Sequence, residues 1–325
     1  MRAYHLTGTI PRLQAVELAE PVAGPGQVVV AVQAASLNYR DVMQAKGNVG
    51  LIPLSDGAGV IESLGSGVAG WAPGDRVVIA FMPGWTEGGF TAAKQASSLG
   101  GNGVDGVLAE RIAVPAGAVV RIPDTMTFEQ AATLPCAGVT AWAALFERRP
   151  VQPGETVLLL GTGGVSIFAL QLAKAAGARV IITSSSDEKL GRARTLGADE
   201  SINYRTTPDW AAAVLARTDG LGADLAVDVG GPGTLNATLN AVRHDGRISL
   251  MGVLTGFGGE IDTAAILRKR ITLQGIYVGS AAMLAALVRT GIEPVVDAVF
   301  AFADADAAYS SMEAAGHFGK LVIRV

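Results

Sequence analysis

Two apolar stretches of the chain are interrupted by glycine, and each pattern predicts a strand, a turn and a helix. Residues 156–160 are mostly aliphatic, and residues 167–176 place apolar side chains at helical spacing. Gly177 follows as a C-terminal helix stop. Residues 271–288 have the same pattern with glycines near the middle. We therefore expect neither stretch to span a membrane.

Strand and helix patterns alternate over residues 124–262. Aliphatic runs predict strands at residues 179–183, 225–229 and 247–251, and residues 187–196 have a helical pattern that ends before a glycine. Continuous apolar strands that alternate with helices are typical of a parallel sheet covered on both faces. Residues 124–262 are therefore predicted to form a doubly wound α/β domain.

Residues 1–123 have short β-type runs that begin at tight turns. Residues 27–32 and 76–79 each follow a Pro-Gly turn, which predicts strands of a compact, mostly antiparallel barrel. Residues 321–325 have the pattern of a last strand, which could rejoin this first domain. The pattern alone does not decide that pairing.

Composition narrows the class of protein further. Half of the 325 residues are hydrophobic and 17% are charged, which supports large cores and excludes a disordered protein. The net charge of -4 and the absence of a basic block argue against a nucleic-acid partner. Cys136 is the single cysteine, so no disulfide can form within the chain. Together with an N-terminus that lacks a signal-peptide pattern, this predicts a cytoplasmic protein.

A glycine-rich segment lies between the first strand and the first helix of the α/β domain. Gly161 and Gly163 would form the bend and admit a pyrophosphate, and Gly164 and Val165 would begin the helix whose N–H groups face the phosphates. Ser166 supplies the small residue needed for close contact between helix and strand. The alternative is a turn with only a structural role, but the strand–turn–helix context favours dinucleotide binding.

The end of the second strand of this domain indicates which dinucleotide binds. An acidic residue there would bind the ribose 2′-hydroxyl of NAD, whereas this chain has Ser184 and Ser185. Their hydroxyls can donate to a 2′-phosphate, and Lys189 follows as a positive charge. Asp187 fits the first turn of the next helix. We therefore predict NADPH as cofactor, with Lys189 as an ordinary solvated residue the alternative.

The chain resembles the zinc-free medium-chain dehydrogenases/reductases, on their quinone oxidoreductase-like branch. The segments that carry the resemblance are residues 36–41, 73–77, 157–177, 196–199, 202–204 and 319–322. The resemblance implies a GroES-like β-barrel domain of residues 1–123 and 263–325, and a Rossmann domain of residues 124–262. It also implies an active site in the cleft between them, and a homodimer formed through the sheet edge near residues 272–278.

Further cofactor contacts follow from the same resemblance. It implies that Thr140 contacts the nicotinamide and that Lys189 and Tyr204 approach the adenosine 2′-phosphate. Gly252 and Val253, which follow the predicted strand 247–251, complete the set of candidate cofactor-binding residues. For Thr140 the alternative is a role in helix packing alone.

Alcohol dehydrogenases of this superfamily bind a catalytic zinc, and the resemblance places its three ligand positions at Asn38, Ser55 and Cys136. Asp56 takes the place of the carboxylate beside the histidine ligand. Catalytic zinc sites use three nitrogen, sulfur or carboxylate ligands, and only Cys136 is a good ligand here. We therefore expect no zinc. A site rebuilt around Asp56, Cys136 and a histidine is the less favoured alternative.

Without a Lewis acid, the expected acceptor is a quinone or a carbon–carbon double bond conjugated to a carbonyl. Glycine-rich and apolar loops predict a small hydrophobic substrate. Asn38 is the candidate donor to the substrate oxygen, and a purely structural role for its amide is the alternative. Tyr39 is a candidate proton donor. Asp41 completes the predicted catalytic set by fixing the loop. A zinc-dependent alcohol dehydrogenase and a non-catalytic NADPH-binding protein remain the alternative functions.

Overall fold

The computed structural model describes all residues from 1 to 325. The strands are β1 (Arg2–Leu6), β2 (Leu13–Glu17), β3 (Gln27–Ser36), β4 (Asp56–Leu64), β5 (Arg76–Ile79), β6 (Arg111–Pro115), β7 (Val119–Arg121), β8 (Thr156–Leu160), β9 (Arg179–Ser184), β10 (Glu200–Asn203), β11 (Ala223–Asp228), β12 (Val242–Leu250), β13 (Thr272–Gly275), β14 (Val296–Ala301) and β15 (Lys320–Arg324). The α-helices are α1 (Tyr39–Gln44), α2 (Ala92–Ala96), α3 (Phe128–Ala131), α4 (Val139–Trp142), α5 (Gly164–Ala175), α6 (Asp187–Thr195), α7 (Trp210–Ala216), α8 (Pro232–Ala241), α9 (Thr263–Lys269), α10 (Ala281–Val288) and α11 (Ala305–Glu313). Two π-helical turns, Leu134–Gly138 and Ala143–Glu147, precede and follow α4.

The chain divides into two compact units. The first combines Met1–Val139 with Val278–Val325, and the second is Thr140–Tyr277. Both boundaries lie later in the chain than those predicted after residues 123 and 262. The first boundary lies later because α3 and the π-helical turn after it pack on β3, β4 and β5. The second boundary lies later because β13 pairs with β12, so that β13 is a strand of the second unit's sheet.

The first unit is built on a mostly antiparallel sheet, as the pattern of short strands predicts. Its strands are ordered β14-β15-β3-β4-β5-β7, with β6 paired to β3, and only β14 and β15 are parallel. β15 lies antiparallel to β3 with Val322 opposite Ser36, so the last strand does rejoin the first domain. The aliphatic side chains of β3 and β15 are buried in this unit's core.

The second unit contains a six-stranded parallel sheet in the order β10-β9-β8-β11-β12-β13. The strand order reverses between β8 and β11, and doubly wound sheets bind ligands at such a point, outside the carboxyl ends of the strands. β8 and β9 are buried along nearly their whole length, which explains why both read as continuous apolar runs. The α/β fold class is confirmed.

Both apolar stretches form a strand, a turn and a helix, as predicted. The first gives β8 and α5, although α5 begins at Gly164, before the first residue of the predicted helical pattern at 167. The second gives β13 and α10. No helix in the structure is both long enough and hydrophobic enough to cross a bilayer.

Candidate functional site

The glycine turn of the second unit connects the carboxyl end of β8 to the start of α5. Gly161 has a φ of +74°, a conformation that favours glycine, and Gly163 is the N-cap residue of α5. A Cβ atom at either position would meet no other atom within 4 Å, so both glycines border open space. Ser166 donates from its hydroxyl to the Leu160 carbonyl at 2.7 Å, which holds the first turn of the helix against β8. This arrangement fits a pyrophosphate, with α5 N–H groups beside it.

Neutral hydroxyl groups occupy the end of β9, where a carboxylate would favour NAD. Ser184 is the last residue of β9 and its hydroxyl lies 3.3 Å from that of Thr162 in the glycine turn. Ser185 follows and is half-buried. Asp187 is exposed in the first turn of α6, where its carboxylate accepts a hydrogen bond from Asn203 at 2.8 Å. The strand end itself therefore presents no acidic group.

Two other predicted cofactor residues lie beside that strand end. Lys189 is in the first turns of α6, and its backbone N–H donates to the Ser186 hydroxyl. Tyr204 directly follows β10; its backbone N–H donates to the Ser184 carbonyl at 3.0 Å, and its side chain is exposed. The structure thus places Ser184, Lys189 and Tyr204 close to one another at the end of β9 and β10. Thr140 is buried within α4.

The carboxyl ends of β11 and β12 are joined through their backbones. Gly252 donates its N–H to the Asp228 carbonyl at 3.0 Å, and a Cβ at Gly252 would lie 1.9 Å from the Val229 carbonyl carbon. Gly252 is therefore required by close packing, and Val253 follows it at the sheet end, partly buried.

Asp228, which the sequence analysis did not single out, organises this end of the sheet. Its buried carboxylate accepts hydrogen bonds from the backbone of Gly230 and Gly231 and from the hydroxyls of Thr234 and Thr238. An acidic residue at the end of an apolar strand, two positions before a Gly-Gly pair, is the signal that marks it.

In the first unit, Asn38, Tyr39 and Asp41 lie together at the start of α1. Asn38 is the N-cap residue, and Asp41 accepts its backbone N–H at 2.7 Å, which fixes the first turn of this short helix. Asn38 is only 8% exposed, whereas Tyr39 is 40% exposed and presents its side chain to solvent. Asp41 is fully buried and pairs with Arg40 at 3.2 Å.

Burial raises the pKa of the Asp41 carboxyl to about 6, although the nearby Arg40 guanidinium and the Asn38 N–H oppose that rise. At neutral pH most Asp41 side chains are therefore still ionised and can hold the N–H of Asn38. This geometry supports a loop-fixing role for Asp41.

A buried lysine, which the sequence analysis did not identify as a site residue, contacts Asn38. Lys320 begins β15 and is 2% exposed. Its Nζ donates to the Leu37 carbonyl at 2.5 Å and to Asn38 Oδ1. The other amide atom of Asn38, Nδ2, is buried, and the Asn38 side chain acts on the Asp56 carboxylate. The available signal was a lysine placed directly before an apolar last strand.

Asp56 lies among the positions to which the resemblance assigns the zinc ligands and the carboxylate beside them. The buried Asp56 carboxylate accepts from the Ser55 hydroxyl at 2.6 Å and from the Cys136 backbone N–H at 3.0 Å. Burial raises the pKa of Asp56, while Lys320, Ser55 and Asn38 oppose that rise. The contribution of Asn38 comes from its side-chain amide, whose NH2 group is its only donor to a carboxylate.

These residues do not fit a zinc ion. The structure contains no cluster of three histidine, cysteine or acidic side chains that could hold a metal. Asn38 Oδ1 and Ser55 are already engaged in hydrogen bonds. Burial and the negative charge of Asp56 raise the pKa of the Cys136 thiol, so its thiolate, the form that binds metals and attacks electrophiles, is disfavoured at neutral pH.

Family models and a full-length relative link this chain to alcohol dehydrogenase-like proteins. The model of the alcohol dehydrogenase GroES-like domain matches residues 24–124, and the model of the zinc-binding dehydrogenase matches residues 164–293. The chain is 43% identical over 317 residues to the zinc-type alcohol dehydrogenase-like protein C1773.06c of Schizosaccharomyces pombe, covering 93% of this chain and 91% of that protein.

Two solved structures extend the similarity to the whole chain. An alcohol dehydrogenase candidate from Sinorhizobium meliloti 1021 is 41% identical, with a TM-score of 0.92 over 100% of this chain and 98% of that one. A structure described as an NAD-dependent alcohol dehydrogenase is 34% identical, with a TM-score of 0.91 over 100% of both chains. These similarities support the arrangement of a GroES-like domain with a Rossmann-type domain.

Proposed function

Because the chain belongs to the medium-chain dehydrogenase/reductase superfamily, we propose that it is an NADPH-dependent oxidoreductase that reduces a quinone or an α,β-unsaturated carbonyl without a metal. Its relatives make it an alcohol dehydrogenase-like oxidoreductase. The observation that carries the narrower proposal is the buried polar cluster of Asn38, Ser55, Asp56 and Lys320, which includes positions that the resemblance assigns to zinc ligands.

That cluster favours an acceptor that needs no Lewis acid. Reduction of a plain ketone requires an electrophile on the oxygen, which zinc supplies in alcohol dehydrogenases. Asn38 and Ser55 are poor zinc ligands, and the buried ammonium of Lys320 would repel a divalent cation. A conjugated acceptor carries the developing negative charge on its own carbonyl oxygen, so hydrogen-bond donors are sufficient.

When bound, NADPH would supply the hydride chemistry; an acceptor reduced at the carbon conjugated to its carbonyl would carry negative charge on the carbonyl oxygen until a solvent proton completed the product. In this proposal Asn38 Nδ2 donates to that oxygen. The exposed Tyr39 hydroxyl is a second donor at the adjacent position. Asp41 positions Asn38 through its backbone N–H.

NADPH is proposed as the cofactor because of the neutral end of β9. The hydroxyls of Ser184 and Ser185 can donate to a 2′-phosphate, and Lys189 adds a positive charge nearby. The NAD-dependent alcohol dehydrogenase among the similar structures makes NADH the alternative. Titration with each nucleotide separates the two: we expect NADPH to bind at least tenfold more tightly.

The proposed reaction is tested by turnover together with metal analysis. Purified protein is mixed with NADPH and a panel of quinones and enones, and NADPH absorbance is followed. We expect oxidation of NADPH above the protein-free rate and less than stoichiometric zinc by elemental mass spectrometry. Stoichiometric zinc with oxidation of simple alcohols would establish the alternative, a zinc-dependent alcohol dehydrogenase, which the names of the relatives favour. Tight NADPH binding with no turnover would indicate a non-catalytic binding protein.

Assembly and location are part of the proposal. β13 is the edge strand of the parallel sheet, and we propose that two copies pair along this edge to form a homodimer. Light scattering that gives the mass of a single chain would contradict this. We also propose a cytoplasmic location and a small hydrophobic substrate as the partner, with no nucleic acid and no membrane.

A further inference from the structure

We propose that Asn102 is a site of spontaneous covalent modification, at which the asparagine is converted to isoaspartate and aspartate through a succinimide ring. Asn102 is the only asparagine of the chain that is followed by glycine. Asn102 and Gly103 are both exposed. They form the centre of a two-residue turn between Gly101 and Val104, which pair in an isolated antiparallel bridge. The modification does not depend on the function proposed above.

The backbone of this turn has the left-handed geometry of a type I′ hairpin. Asn102 has a φ of +54° and Gly103 a φ of +77°. The Gly101 N–H donates to the Val104 carbonyl at 3.2 Å, and the Val104 N–H donates to the Gly101 carbonyl at 2.9 Å. These two hydrogen bonds hold the ends of the turn. The peptide group between Asn102 and Gly103 forms no hydrogen bond through its N–H or its carbonyl.

A flip of that central peptide group brings the reacting atoms together. The ring closes when the Gly103 nitrogen reaches the side-chain carbonyl carbon of Asn102, which requires a ψ of about −120° at Asn102, the value found at the first central residue of a type II′ turn. Type I′ and type II′ turns share the hydrogen bonds between their ends. The flip therefore breaks neither of them, and Gly103 tolerates both orientations. A Cβ at Gly103 would meet no atom within 4 Å, so the space around it is open.

The reaction needs water as its only co-reactant. The Gly103 nitrogen loses its proton and bonds to the side-chain carbonyl carbon of Asn102, while the bond to the amide nitrogen breaks and ammonia leaves. Water then opens the ring. Opening at the side-chain carbonyl gives aspartate, whereas opening at the backbone carbonyl gives isoaspartate, in which the chain continues through the former side chain. Isoaspartate lengthens the turn by a methylene carbon, so Gly101 and Val104 can no longer pair in the same register.

The competing explanation is that the folded turn protects Asn102. At a residue other than glycine, the flipped backbone conformation should be populated about 5–150-fold less than the observed one. The reference is the full-length chain unfolded in guanidinium chloride, whose backbone is not held in the turn. We therefore expect the folded protein to be modified no more than about 150-fold more slowly than this reference.

The test is incubation of the full-length protein at mildly alkaline pH, with and without guanidinium chloride, followed by trypsin digestion. Residues 95–111 form one tryptic peptide, which contains no asparagine other than Asn102. Mass spectrometry measures the exchange of the amide for a carboxyl group, and electron-transfer fragmentation distinguishes isoaspartate from aspartate. We expect both products in the folded protein. A folded-state rate below the stated limit, or aspartate without isoaspartate, would overturn the proposal.

An internal control and a variant identify the turn as the cause. Asn240 is also exposed, but it lies in the helix α8 and precedes Ala241, so we expect it to stay unmodified in the folded protein. Asn102→Gln keeps a side-chain amide at the same position but would have to close a six-membered ring. This variant should show no modification of the 95–111 peptide over the same time. Modification of Asn240 or of Gln at position 102 at the rate of Asn102 would show that the turn has no part in the reaction and would overturn the proposal.

Discussion

Replacing Gly163 with alanine separates cofactor binding from folding. Gly163 has φ −80° and ψ −176°, an extended conformation that alanine adopts without strain, and its added Cβ would contact no protein atom within 4 Å. The methyl group would instead occupy the space where we place the pyrophosphate. The substitution therefore affects the bound cofactor and leaves the protein's own packing intact.

The expected magnitude follows from the phosphate contacts that would be displaced. Loss of one or two charge-assisted hydrogen bonds, at about 1.5–3 kcal/mol each, weakens binding by about 2–4 kcal/mol. At 1.4 kcal/mol per tenfold, the dissociation constant for NADPH should rise about 30-fold to 1,000-fold. For stability, alanine is a slightly poorer N-cap than glycine but reduces the entropy of the unfolded chain, and these effects of less than about 1 kcal/mol oppose one another.

The assay is titration of NADPH followed by intrinsic fluorescence or calorimetry, with thermal unfolding of the free protein measured in parallel. Gly316→Ala is the matched control, because Gly316 is exposed, lacks a positive φ and also has no atom within 4 Å of an added Cβ. We expect both variants to melt within about 2 °C of the wild type and only Gly163→Ala to lose affinity. Wild-type affinity in Gly163→Ala would refute placement of the pyrophosphate on this turn.

Three further predictions concern the cofactor and the buried polar groups. Ser184→Asp should weaken NADPH binding at least tenfold and leave NADH binding equal or tighter, measured by parallel titrations; an unchanged ratio would contradict our account of the β9 end. Because burial raises the pKa of Asp41 from 3.8 to about 6, its contribution to stability is present below about pH 4 and is lost as the pH rises through about 6. Unfolding by urea is measured for the wild type and for Asp41→Asn at both ends of this pH range. The difference between their free energies of unfolding should grow with pH to as much as about 3 kcal/mol, and a difference that does not change with pH would exclude this linkage. Tyr309→Phe removes a buried hydroxyl that has no hydrogen-bond partner, so the free energy of unfolding should stay the same or rise in the same assay. A decrease of more than about 1 kcal/mol would show that the hydroxyl does form a hydrogen bond.

The parts of the fold that could be predicted are those encoded by short segments. Aliphatic runs bounded by glycine predict β8 and β9 and the helices after them, because a strand buried on both faces needs apolar residues throughout. The glycine turn was recognisable for the same reason: Gly161 and Gly163 lie between a strand and a helix.

The cluster around Asn38 was only partly predictable. Asp41 lies three residues after Asn38, in the first turn of α1, and accepts the backbone N–H of Asn38. Its role could therefore be inferred from neighbouring positions in the sequence. Lys320 reaches Asn38 only through the pairing of β15 with β3, and no local pattern contains that information. The later position of the second unit boundary has a similar cause, since the pairing of β13 with β12 is not contained in a local pattern.

The position of β15 has a consequence for the order in which the protein can mature. Ser36 donates its hydroxyl to the carbonyl of Leu321, 285 residues later, and β15 lies between β14 and β3 rather than at an edge. During synthesis residues 34–36 of β3 must therefore wait, unpaired on the side that β15 will occupy, until almost the whole chain has left the ribosome. The strand that completes the sheet also carries Lys320, so shortened chains that end before this strand would lack both a finished first unit and the charge beside Asn38.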